Sequence, residues 1–120
     1  MATFKRFEDI LAWQKARQLT KKVYSMSKGI EFSKDYGLKD QIRRSSVSIM
    51  ANIAEGFARR TDKDFAYFLN ISRSSAAEVQ SHLYVALDQG YITQDEFDEG
   101  YDLVEECSKM IFALAKHLVL

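Results

Sequence analysis

The residues best suited to chemistry in this chain are arginines, which are concentrated in the middle of the sequence. A guanidinium group binds phosphate through parallel N–H donors, and each phosphate that a protein neutralises adds salt-dependent affinity. A group of nearby basic residues therefore predicts binding of RNA or DNA, and Tyr67 and Tyr84 could add rings on which bases stack. The basic residues are Arg43, Arg44, Arg59, Arg60, Lys63 and Arg73.

The same arginines have a second interpretation, in which no nucleic acid is bound. Arg59 lies four residues after Glu55, the spacing at which opposite charges pair along a helix. Arg73 could reach Glu55 or Glu78 across the contact between two helices. The arginines would then hold helices or subunits together, or meet the acidic surface of a protein partner.

Groups for catalysis or metal binding have no useful arrangement in the sequence. His82 and His117 have no carboxylate or thiolate beside them at ligand spacing, so no metal site is predicted. Cys107 lies between carboxylates and lysine, and Glu105 and Glu106 would raise its pKa and make it less reactive. No Gly-x-Ser-x-Gly motif and no glycine-rich phosphate loop occurs. We therefore predict a protein that is not an enzyme and uses no cofactor.

The stretch that must position the arginines, residues 41–60, has the pattern of a helix with two unlike edges. Ile42, Ile49 and Ile53 recur on one edge at helical spacing. The other edge is polar, and small residues there would let another helix approach closely. We predict that this polar edge, together with Glu78, makes contacts between helices or between subunits of a homo-oligomer. The residues concerned are Ser48, Asn52, Glu55 and Glu78.

The whole chain repeats this helical pattern four times. Helices are predicted over residues 8–28, 38–60 and 62–88, and from about residue 95 to the end. Residues 30–37 are predicted as a connection, with Phe32 and Tyr36 held against the other helices. Gly56 lies inside the second helix, where it indicates close packing with another backbone. Because the connections are short, the prediction is an all-α, antiparallel up-and-down four-helix bundle that forms a single domain over residues 1–120.

The composition is compatible with this fold and indicates how charge is distributed and where the protein is located. The 120 residues include no proline, and the formal net charge is zero. Up to Arg73 there are 15 basic and 8 acidic residues, whereas from Ser74 onward there are 2 basic and 9 acidic. The two halves could expose a basic and an acidic face, or their charges could attract within the chain or between subunits. With one cysteine, no apolar stretch long enough to span a bilayer and no signal peptide, the sequence predicts a cytoplasmic protein without membrane contact.

The sequence also resembles a known family over nearly its whole length. The resemblance rests on residues 7–16 (FEDILAWQKA), 36–38 (YGL), 41–44 (QIRR), and above all 52–56 (NIAEG). It continues through Phe65, Phe68, Leu69 and Glu78, and through residues 90–92 (GYI). These features are similar to the small bacterial four-helix-bundle proteins that are encoded within intervening sequences of large-subunit ribosomal RNA genes.

The resemblance implies a four-helix bundle that assembles as a homopentamer. Related accessory proteins of diversity-generating retroelements bind nucleic acid and a reverse transcriptase through a basic surface. The resemblance to the intervening-sequence proteins themselves does not imply any particular activity. It therefore leaves both hypotheses open, an RNA- or DNA-binding bundle and a structural or protein-interaction module.

Overall fold

Helices account for nearly all of the part of the chain that the computed structural model describes, residues 4–119. A 3-10 turn at Phe7–Asp9 precedes five α-helices, and no strand occurs among the described residues. The helices are α1 (Leu11–Met26), α2 (Ile30–Lys34), α3 (Tyr36–Phe57), α4 (Asp62–Asp88) and α5 (Gln94–Val119).

The four long helices pack in the order α1, α3, α4, α5, and α5 closes back onto α1. Since each follows its predecessor through a short connection, neighbours run antiparallel, and the prediction of an up-and-down four-helix bundle is confirmed. The described bundle is elongated, measuring 45 × 21 × 19 Å. Each long helix buries the apolar edge that its sequence predicts. Completely buried members of the core include Leu19, Val23, Ile42, Ile49, Ile53, Leu69, Val79, Leu83, Val104 and Ile111.

The connection between the first two long helices differs from the prediction. Residues 30–34 form the short helix α2, which buries Phe32 against the ring of Tyr91 at 5.4 Å between centroids. The prediction that Tyr36 also packs against the bundle is wrong, because its side chain is 73% exposed. Tyr36 is the first residue of α3, and its ring faces outward below the Lys39 ammonium, 5.0 Å from the ring centroid.

Asp35 explains why α3 begins at this point. Its carboxylate accepts a hydrogen bond from the Leu38 backbone N–H at 3.1 Å, which caps the helix. The other carboxylate oxygen accepts a hydrogen bond from the Tyr91 hydroxyl at 3.0 Å. This bond, more than burial or the nearby charges, raises the pKa of Tyr91. One carboxylate thus joins the start of α3 to the connection between α4 and α5.

The ends of two helices also differ from the prediction by a few residues. The first helix begins at Leu11 because residues 7–9 form the 3-10 turn instead. The third α-helix ends at Phe57, so Arg59 and Arg60 lie just beyond it rather than within it. Thr61 then caps α4, its hydroxyl accepting the Asp64 N–H at 3.1 Å.

Helices α3 and α4 approach closely, as the position of Gly56 predicts. A Cβ atom on Gly56 would lie 2.8 Å from Phe68 Cβ and 3.0 Å from Phe65 Cδ1. Farther along the contact, the buried Ser72 hydroxyl donates to the Ile49 carbonyl at 2.8 Å. Small side chains on both helices therefore allow contact between side chain and backbone.

Replacing Gly56 by alanine should destabilise the protein, although alanine favours a helix by about 1 kcal/mol over glycine. The added methyl group would clash with the Cβ atom of Phe68, which is fixed to the backbone and cannot rotate away. Overpacking of this kind costs about 1–3 kcal/mol. Urea denaturation should show a lower midpoint. The control is Gly37→Ala, also in α3, where the nearest atom to a new Cβ lies at 3.9 Å and no loss is expected. Equal stability of Gly56→Ala and the natural protein would contradict this packing.

Candidate functional site

The outer surface between α3 and α4 carries a row of small side chains, which we call the α3–α4 strip: Ser48, Ala51, Asn52, Ser74 and Ser75. The Ser48 and Ser75 hydroxyls join the two helices by a hydrogen bond of 2.9 Å. Asn52 donates from Nδ2 to the Ser48 carbonyl at 2.8 Å and to the Ser48 hydroxyl at 3.0 Å. The polar groups of the strip are thus already ordered, and no large side chain rises from its centre.

Two ion pairs along α3 flank the strip. Arg44 Nε donates to Asp40 at 2.8 Å, and Arg59 pairs with Glu55 at 3.0 Å, as their four-residue spacing predicts. The Arg59 guanidinium also lies 4.5 Å from the centroid of the Phe68 ring. Because each of these arginines has an acidic partner on its own segment, the charge of the strip is largely balanced.

The six basic residues predicted as a binding surface are not brought together. Arg43 turns toward α1, donating from Nε to the Ser27 hydroxyl at 2.7 Å. Arg73 turns toward α5 and lies 4.7 Å from the Phe112 ring centroid, away from both Glu55 and Glu78. Arg60 and Lys63 are exposed near the junction of α3 and α4 and make no ion pair with a described residue. The set therefore falls on three sides of the bundle.

A basic surface that the sequence reasoning missed runs along α1 and the adjacent edge of α3. The Arg17 guanidinium lies 5.8 Å from the Trp13 ring, and that of Arg43 lies 4.4 Å from the Tyr24 ring. Lys21 is exposed between them. Cavities of about 470 and 630 Å³ open beside these two stacked pairs. The signal was present in the sequence, because α1 contains four basic residues and no acidic one.

The opposite charges of the two chain halves partly neutralise each other within the bundle. Lys15 of α1 pairs with Glu106 of α5 at 3.2 Å, and Lys22 of α1 pairs with Glu99 of α5. Both pairs are partly exposed, so each contributes at most about 1 kcal/mol. Of the two interpretations of the asymmetry, attraction within the chain is therefore realised between α1 and α5.

The cysteine and the possible metal ligands of the described residues are not arranged for catalysis or metal binding. The Cys107 thiol is buried and lies 3.6 Å from the Ala12 carbonyl. Burial raises the pKa of Cys107 to about 12, with Glu106 adding to the rise and Lys15 opposing it. In residues 4–119, no three His, Cys, Asp or Glu side chains are grouped as they would be around a metal ion. No helix in this range combines the length and apolarity needed to cross a bilayer.

Comparison with known proteins places this geometry in context. The sequence model of the 23S rRNA-intervening sequence protein family matches residues 8–113. A crystal structure from Bacteroides thetaiotaomicron, of a protein of unknown function from the S23 ribosomal protein family, superposes with a TM-score of 0.79. The two sequences are 25% identical, and the match covers 88% of this chain and 98% of that one. No curated protein matches the sequence.

The thiol of Cys107 should resist chemical modification in the folded protein. With a pKa of about 12, it remains protonated and buried at pH 8, where an exposed thiol is partly ionised. Ellman's reagent should therefore react with about one thiol per chain only after denaturant is added. Stability should be unaffected by this group up to about pH 8.5 and should then decline, because the unfolded chain loses the thiol proton first. Rapid labelling of the folded protein at pH 8 would contradict this description.

Proposed function

The chain belongs to the 23S rRNA-intervening sequence protein family, and from this premise we propose that it is a non-enzymatic subunit of a homo-oligomer. Its α3–α4 strip is the proposed subunit contact. The observation that carries this proposal is the strip itself, a row of small, internally hydrogen-bonded side chains between two balanced ion pairs. A lone buried cysteine suits a reducing cytoplasm as the place of assembly.

The shape and polarity of the strip favour a protein partner. Ser48, Ala51 and Asn52 project little from α3, so a helix of another subunit could approach its backbone closely. The donors of Ser48 and Asn52 already have acceptors within the strip, which lowers the cost of removing water from them. Asn52 Oδ1 accepts no hydrogen bond from a described residue and is available to a donor from a neighbouring subunit.

The charge of the strip is less suited to nucleic acid. An affinity built on phosphate contacts requires cations whose charge is not already balanced. Asp40 and Glu55 balance the two arginines that flank the strip, and Arg43 and Arg73 face other helices. Arg60 and Lys63 have no acidic partner among the described residues, but they lie at the junction of α3 and α4, beyond the end of α3. We therefore favour the structural or protein-interaction hypothesis over nucleic-acid binding through the second and third long helices.

The proposed assembly is a ring of five subunits, the number implied by the family resemblance. A closed ring requires a head-to-tail contact, in which the surface of one subunit meets a different surface of the next. The α3–α4 strip would supply one side of that contact. In this arrangement the paired Arg59 and Glu55 lie at the edge of the interface, where charges guide orientation more than they add affinity.

The substitution Ala51→Arg should break the assembly without unfolding the subunit. Ala51 is exposed three residues after Ser48, at the edge of the strip that faces α1, so a long charged side chain there would hold a neighbouring helix away. Sedimentation velocity should show the natural protein as an oligomer and Ala51→Arg as a smaller species, with unchanged helical circular dichroism.

The control is Ser25→Arg, at a small exposed residue of α1 that lies outside the strip. It should sediment as the natural protein does. An Ala51→Arg variant that keeps the natural sedimentation coefficient would refute the proposed contact, and so would a natural protein that is monomeric at micromolar concentration.

A second candidate function, binding of single-stranded RNA, is favoured by the basic surface of α1 and α3. Trp13 and Tyr24 offer rings there, and Arg17, Lys21 and Arg43 offer positive charge. Aromatic rings interleaved with cations form the usual arrangement for stacking bases beside a neutralised backbone. This surface meets the α3–α4 strip, because Ser48 and Ala51 line the same cavity as Tyr24 and Arg43, so RNA and a neighbouring subunit would compete for this cavity.

Anisotropy of a fluorescein-labelled 20-nucleotide RNA tests this candidate. Binding at 50 mM KCl should weaken at least about tenfold at 200 mM, because the affinity depends on released counterions. Arg17→Gln with Lys21→Gln should reduce both the affinity and the dependence on salt. The comparison variant, Arg60→Gln with Lys63→Gln, removes equal charge from the surface predicted by the sequence. A larger loss of RNA affinity in the comparison variant would place the binding site at Arg60 and Lys63 instead. Absence of RNA binding at 50 mM KCl would exclude this function.

A further inference from the structure

The face formed by α4 and α5 is chemically divided along its length. Toward the end of α5 it carries cations around an exposed phenylalanine, and toward the beginning of α5 it carries acids around an exposed tyrosine. We propose that this α4–α5 face is a two-fold self-association surface. The cationic half of one chain binds the acidic half of a second copy, and the reverse contact forms at the same time.

The cationic half is centred on Phe112, which is 49% exposed although it is aromatic. The Arg73 guanidinium covers one side of its ring at 4.7 Å. Lys109 lines a cavity of about 210 Å³ beside this pair, with Glu105 at its edge toward the centre of the face, and Lys116 lines a neighbouring cavity of about 350 Å³. None of these three cations pairs with an acidic group among the described residues. This half therefore offers positive charge and apolar surface together.

The acidic half is centred on Tyr84, which is 51% exposed. Its ring packs on Phe97 at 4.9 Å and on Tyr101 at 5.9 Å, so it belongs to the same groove between α4 and α5. Asp98 is an exposed carboxylate of α5 that accepts a hydrogen bond from Gln94 Nε2 at 2.9 Å and has no cationic partner among the described residues. This half offers negative charge and apolar surface together.

The two halves are separated by the same length on both helices, as the contacts of Arg73 with Phe112 and of Tyr84 with Tyr101 across an antiparallel pair require. Arg73 precedes Tyr84 by 11 residues in α4, and Tyr101 precedes Phe112 by the same 11 residues in α5. At 1.5 Å per residue, both intervals are about 16 Å. Between the halves, Gln80 Nε2 donates to Glu105 at 2.8 Å across the two helices. An axis through this central region would place each half of one chain opposite the unlike half of the other.

Charge complementarity identifies a second copy as the occupant. Residue 107 of α5 lies midway between Asp98 and Lys116, so an antiparallel partner related by an axis at that level would bring Lys116 of each copy to Asp98 of the other. In such an isologous contact every attraction occurs twice. The proposal is independent of the α3–α4 strip, because Ser75 and Tyr84 lie on different edges of α4. An assembly that also contains rings would use the two-fold contact to join subunits of different rings.

Charge-reversal variants test this contact. The dimer association constant is best measured in the Ala51→Arg chain, in which the strip contact is disrupted. Lys116→Glu and Asp98→Lys should each lower the dimer association constant at least about tenfold at 50 mM salt, because each places like charges together twice. An equal mixture of the two variants should associate again as a heterodimer. The chain with both reversals should also dimerise. The two positions are about 27 Å apart along α5, well beyond the Debye length, so restoration must come from contact between chains.

Matched controls reverse charge elsewhere, with Lys21→Glu on α1 and Glu31→Lys on α2, both at exposed residues. These should leave the sedimentation equilibrium unchanged. Single reversals that have no effect, or a mixture that fails to associate, would overturn the proposal, as would a monomeric Ala51→Arg chain at 100 μM. If Ala51→Arg leaves the natural assembly intact, the strip proposal fails alone, and the same reversals in the natural chain still test the α4–α5 face.

Discussion

The close approach of α3 to α4 is the constraint on which the rest of the structure depends. Gly56 leaves no room for even a methyl group against Phe68, and Ser72 bonds directly to the Ile49 carbonyl. Each of these contacts requires a small residue on one of the two facing positions. The same requirement continues to Ser48 and Ser75, whose hydroxyls form a partly buried hydrogen bond. The polar strip is thus the exposed edge of the packing that holds the bundle together.

Charge is distributed around this central pair of helices in a way that leaves one basic surface and one surface divided between cations and acids. Lys15 and Lys22 of α1 neutralise acids of α5, but Arg17 and Lys21 remain on the outside. The α4–α5 face keeps its cations and acids at opposite ends. A chain with a formal net charge of zero can therefore present local fields strong enough to orient a partner. Net charge alone conceals this pattern.

The sequence predicts the architecture well because helical periodicity and short connections leave few alternatives. The buried residues of α1 and α4, the cap at Thr61 and the close approach at Gly56 follow from local patterns. The direction of a long side chain does not. Arg73 lies on Phe112, 39 residues away in sequence, because α5 rather than α3 offers the nearest exposed ring.

The same limit applies to Tyr36 and to the basic surface of α1. Whether Phe32 or Tyr36 packs inward depends on α2, a helix of five residues that is too short to give a periodic signal. The stacking of Arg43 on Tyr24 joins helices that are distant in sequence, so no local pattern indicates it. Site residues could therefore be identified by type from the sequence, whereas their grouping required the fold.

Hydrogen exchange of the folded protein, measured residue by residue by NMR, tests most directly whether the α3–α4 contact is the stable centre. Amides of Ile49, Ile53, Leu69 and Ser72 should exchange most slowly and together, with a free energy equal to that of global unfolding. Amides near the ends of α1 and α5 should exchange sooner. Slower exchange in α1 and α5 than in α3 and α4, or separate opening of α3 from α4, would contradict this account.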